Sequence, residues 1–145
     1  RSASNGMKQN YDIFDRGGIT HVRSWGSSER ELFQNALLGL AALVRPDVAP
    51  EGRKTVRVRA HVCGTNLSDL LEIFLDHVIF ENEMHDAIFS GMDVIHFSDK
   101  EIECELIGKQ INHTEEEIHG VALTAGGIRR AKSHQWEVEF VPEFL

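Results

Sequence analysis

Cysteine is scarce in this chain of 145 residues: there are two, Cys63 and Cys104, in segments of alternating polarity. Each is expected to act as a small buried hydrophobe rather than as half of a disulfide. No apolar run approaches the roughly 20 residues needed to span a bilayer. No basic-then-apolar secretion signal opens the chain, so a cytoplasmic protein that does not enter a membrane is expected. The N-x-Ser/Thr sites at Asn66 and Asn112 then carry no weight as glycosylation acceptors. Basic charge is also short, 15 Lys and Arg against 23 Asp and Glu for a net charge of −8. That balance argues against capture of nucleic-acid phosphates by bulk electrostatics. Neither Gly17-Gly18 nor Gly126-Gly127 extends into a dinucleotide or Walker A loop, and no Gly-x-Ser-x-Gly elbow occurs. The cysteines, beside Val62 or between Glu103 and Glu105, have no neighbourhood that would lower a thiol pKa.

What is present is the composition of one globular domain: 41% hydrophobic, 26% charged and 8% aromatic residues. Arg1 to Gly6, small and polar ahead of Met7, read as an expression leader, which leaves 7–145 as a single domain. Tyr11 to Asp15 and Ile19 to Trp25 read as strands joined by a Gly17-Gly18 hairpin turn. Ser28 with Glu31 forms a capping box. Behind it Leu32, Phe33, Ala36, Leu37, Leu40, Ala41 and Val44 recur at helical spacing as far as Arg45-Pro46. Pro46 to Lys54 is a loop.

The following strand alternates Val56, Val58, Ala60 and Val62 with Arg57, Arg59 and His61. Asn66 caps a second helix whose apolar stripe is Leu70, Leu71, Phe74, Leu75 and Val78, ending near Phe80. Strands are then expected at Ile88 to Phe97, Glu101 to Ile107, Ile118 to Thr124 and Trp136 to Val141. This order predicts an α+β fold of two layers, a mostly antiparallel sheet with two helices packed on one face.

Three clusters carry chemistry of interest. His77, Glu81 and His85, spaced by four, would line up as zinc ligands on a helix that continued through His85, although solvated histidines explain them as well. Arg129, Arg130 and Lys132, with His134 nearby, form the one concentrated basic cluster, a candidate partner contact or a solvated turn. Acidic residues would have to be gathered from several elements to hold a hard cation, which spacing alone does not reveal.

Several segments together resemble the archease family, small acidic proteins that assist the tRNA-splicing RNA ligase. They are Tyr11-Asp12-Ile13-Phe14-Asp15, Arg23-Ser24-Trp25-Gly26, the capped helix with Glu29, Phe33 and Ala36, Leu70-Leu71 through Leu75, and Phe89-Ser90. The ending, Trp136 and Phe140-Val141-Pro142-Glu143, is similar to the family's closing Trp and Phe-Val-Pro-Asp. The resemblance implies an accessory protein rather than an enzyme, a calcium-like divalent cation and an RNA ligase protein as partner.

The chain departs from the family at two places. Arg16-Gly17-Gly18-Ile19 stands where the family has His-Thr-Ala-Asp, so Ile19 replaces an acidic ligand. His119 to Thr124 replaces a Lys-Ala-x-Thr-Tyr-His segment. Glu143 then carries over as a metal ligand, Asp15 is the nearest substitute in sequence, and His113 matches a family histidine. The alternative is a diverged, non-catalytic interaction or chaperone-like module without the metal site. A small hydrolase built on His77, Glu81 and His85 is a third reading.

Overall fold

The computed structural model describes residues 9–44, 53–112 and 118–144. The expected leader, most of the expected loop from Pro46 to Lys54, and His113 lie outside the described residues. The N-terminal hairpin is β1 (Tyr11–Arg16) and β2 (Ile19–Gly26), paired antiparallel with Arg16 opposite Ile19. Its two-residue turn needs positive φ at both positions, and Gly17 and Gly18 supply φ of 61° and 84°.

Helix α1 (Glu29–Val44) starts on a one-residue variant of the capping box. Ser28 Oγ accepts from the Glu31 N–H at 3.1 Å, while Glu31 Oε1 accepts from the N–H of Ser27, not Ser28, at 2.7 Å. Its apolar stripe, from Leu32 to Val44, is buried. Then come β3 (Thr55–Cys63), α2 (Leu67–His85), β4 (Ala87–Phe97) and β5 (Glu101–Gln110). The chain closes with β6 (Ile118–Leu123), the two-residue β7 (Arg129–Arg130) and β8 (Trp136–Phe144).

The fold is α+β with every strand pair antiparallel and two helices. The strands divide between two sheets: one orders β1-β2-β8-β6 with β7 beside β8, the other β3-β5-β4. Each helix packs on strands of both sheets, so the core lies between them. Phe33 of α1 meets Phe74 of α2 at 5.9 Å between ring centroids and Phe97 of β4 edge-on at 5.0 Å. No helix among the described residues is long and apolar enough to cross a membrane.

Two local expectations are corrected. Helix α2 does not end near Phe80 but runs to His85. Buried Glu81 holds His77 Nε2 at 2.9 Å and His85 Nε2 at 3.2 Å, and these i,i+4 pairs stabilise the added turn. Asp86, at φ 46°, then ends the helix in the left-handed conformation. The second correction concerns Cys63, which is exposed, whereas Cys104 is buried; both are free thiols. In β3 the odd positions Arg57, Arg59 and His61 face solvent, and Cys63 shares their parity. Burial, with Glu103 adding, pushes the Cys104 thiol up to about 11.

Candidate functional site

One polar stripe of α2 joins the helix to an edge of the five-stranded sheet. Ser68, Glu72 and Asp76, spaced by four, face β6 and the turn that follows it. Asp76 Oδ1 accepts from the Val121 N–H at 2.9 Å, Glu72 Oε1 from Leu123 at 3.3 Å and Ser68 Oγ from Ile128 at 3.0 Å. An edge strand leaves backbone donors unpaired, and these side chains satisfy two of them on β6 and a third in the turn beyond it.

Glu143 reaches the same place from β8, where it is the cross-strand partner of Gly120. A methyl group on Gly120 would stand 3.0 Å from Asp76 Oδ1 and 3.5 Å from Glu143 Oε1. The two carboxylates thus flank a space that glycine leaves open. Burial raises the Asp76 pKa above its ordinary value, with the negative charges of Glu72 and Glu143 adding to it. The Val121 hydrogen bond and His119 act in the opposite direction.

Asp15 is placed elsewhere. It sits on β1, separated from β8 by β2, and its Oδ1 accepts from the Thr20 hydroxyl at 3.2 Å. With strands about 4.8 Å apart, Asp15 and Glu143 stand on ladders about 10 Å apart across the sheet. The structure brings Asp76, not Asp15, against Glu143. Ile19, at the turn of the first hairpin, is 56% exposed.

The basic trio lies beside the start of β8, on the same flank as β6 and at the other end of the strand from Glu143. Arg129 pairs with Glu137 at 2.9 Å. Arg130 stacks 4.7 Å from the Trp136 ring and donates to the His134 carbonyl at 3.1 Å. Lys132 is exposed in the turn between β7 and β8. Arg129 also lines a cavity of about 460 Å³ with Arg16, Arg23, Asp12 and Glu139. Beside that cavity, Glu139 Oε2 meets His21 Nδ1 at 2.6 Å and Arg16 Nη1 at 3.0 Å.

A divalent cation held by Glu143 would sit at the Gly120 cradle and not beside Asp15. Its donors, Asp76 and Glu143 with Glu72 behind, are all oxygens, as a hard cation requires. Among the described residues, no three of these side chains bring ligand atoms within 4.8 Å of one another. Two carboxylates would therefore hold the ion, with water completing its shell. Bound there, the cation would offset the negative charges of Glu72 and Glu143, which add to the desolvation that raises Asp76.

The same fold occurs in the solution structure of Methanobacterium thermoautotrophicum protein 1598. That structure is 16% identical, with a TM-score of 0.70, over 95% of this chain and 100% of the other. Comparison with curated proteins gives no match. The model of the archease protein family (MTH1598/TM1083) matches residues 11–142. The chain belongs to the archease family.

Proposed function

We propose that this protein assists an RNA ligase of tRNA splicing in the cytoplasm, by binding the ligase protein and not by catalysing a reaction itself. The family match over residues 11–142 carries this reading. The Gly120 cradle supports a calcium-like cation held by Glu143 and Asp76. The exposed Lys132 and the fixed Arg129 and Arg130 offer a basic edge for an acidic patch on the ligase. Co-purification tests the partner. Stable recovery of the cognate ligase, weakened when Arg129, Arg130 and Lys132 are changed together to Ala, is the expected result. Absence of the ligase from the complex contradicts it.

A second reading is an interaction module that has kept the fold without the cation. It is favoured by Ile19, an exposed apolar side chain where the family places a carboxylate. Recovery of an unrelated protein in place of a ligase supports that reading.

A further inference from the structure

The outer face of the three-stranded sheet carries a ladder of ionic rungs between β3, β5 and β4. Arg57 meets Glu105 at 3.0 Å and Asp93 at 3.9 Å, and Arg59 meets Glu103 at 2.9 Å. Each pair is diagonal, since Arg57 stands opposite Ile107 and Arg59 opposite Glu105. The third rung keeps the diagonal and changes the chemistry. His61 Nε2 pairs with Glu101, and His96 Nε2 approaches the other carboxylate oxygen of Glu101 at 3.4 Å. Cys63 stands directly across from Glu101.

One ligand atom each from His61, Cys63 and Glu101 lies within 4.8 Å of the other two. Around tetrahedral zinc, with Zn–N about 2.0 Å and Zn–S about 2.3 Å, ligand atoms stand roughly 3.3–3.8 Å apart. Small side-chain rotations close that difference. A thiol, imidazoles and one carboxylate suit zinc rather than calcium or magnesium.

The backbone brings a fourth side chain to this cluster. Asp93, opposite Glu105, faces outward, and Val94, opposite Cys104, faces inward. Strict alternation would turn His96 inward as well. A β-bulge between Val94 and His96 shifts the register, so that His96 reaches Glu101 on the outer face, beside the exposed Ile95. The same shift turns Phe97 inward, where it packs edge-on against Phe33, so the bulge serves the core as well as the outer face. Bulges occur where a side chain must be re-aimed.

We infer that His61, Cys63 and Glu101, with His96 in the fourth position, form a zinc site that cross-links β3, β5 and β4 at one end of this sheet. It is separate from the Glu143 site in position and in ligand chemistry.

Cobalt(II) titration of the reduced protein tests it, because a cobalt–thiolate bond gives a charge-transfer band in the near ultraviolet. The wild type is expected to show a saturable one-equivalent band that zinc displaces. Cys63→Ser abolishes it, and His61→Ala and His96→Ala each weaken cobalt binding at least tenfold. Glu143→Ala, outside the cluster, leaves the band unchanged. Zinc should raise the melting temperature of the wild type but not of Cys63→Ser. No band at millimolar cobalt, a band that survives Cys63→Ser, or affinity unchanged by either histidine substitution would overturn the assignment.

Discussion

Asp76 Oδ1 accepts a hydrogen bond from the Val121 backbone N–H at 2.9 Å and so fastens helix α2 to the edge of β6. Burial, with Glu72 and Glu143 close by, raises the pKa of this carboxyl from 3.8. A carboxyl with a raised folded-state pKa binds its proton more tightly in the native state than in the unfolded chain. Its stabilising contribution is complete below pH 3.8 and is lost as pH rises through the folded-state value. Asp76→Asn keeps an acceptor for Val121 and removes the ionisation. Denaturant unfolding across pH should show the wild type losing stability relative to Asp76→Asn as pH rises above that point. Parallel curves would contradict the assignment.

Glu143 is exposed near the end of β8, and a surface change of this kind alters stability by no more than about 0.5 kcal/mol. Glu143→Ala should leave the metal-free melting temperature nearly unchanged while weakening calcium binding at least tenfold by calorimetry. A large fall in melting temperature without metal would show that Glu143 anchors the fold instead.

Gly108 in β5 lies under the β4 backbone, where an added Cβ would stand 2.2 Å from the Ile88 carbonyl oxygen. The nearest atoms are all backbone of Ile88 and Phe89, which leaves no side chain to move aside. Gly108→Ala should cost about 3 kcal/mol in denaturant unfolding.

The Ser24 hydroxyl is buried on the core side of β2 and has no hydrogen-bond partner among the described residues. Removing an unsatisfied buried polar group relieves its desolvation cost, so Ser24→Ala should raise stability by about 1 kcal/mol. A loss of stability would show that the hydroxyl is hydrogen-bonded in solution.

Local signals carried most of the fold. The Ser28 and Asn66 caps, the Gly17-Gly18 turn and the period-two strands are written within a few residues of where they act, and the elements follow them. The division into two sheets is set by pairing over long separations, such as β2 with β8, which periodicity does not encode. The end of α2 was obscured because Glu81 looks solvent-facing until its two histidine partners are seen to cover it. The short β7 was hidden in a basic run that reads as a turn.

For the proposed cation site, resemblance pointed to Glu143 but not to Asp76. Asp76 lies on the polar stripe of a helix, and its partner strand is 45 residues away. The spacing of Ser68, Glu72 and Asp76 by four was the available signal, and it reads equally well as a solvated face. The cluster around Glu101 was less legible still, because the bulge that re-aims His96 leaves no mark in the sequence pattern.

Multiple-turnover RNA ligation tests the central claim most directly, using the cognate ligase at a small fraction of the RNA concentration, with calcium present, and with or without this protein. The account predicts that the wild type carries the ligase through many product equivalents, that Glu143→Ala does so much less, and that the protein alone joins no RNA. A ligase yield unchanged by saturating wild-type protein would contradict it.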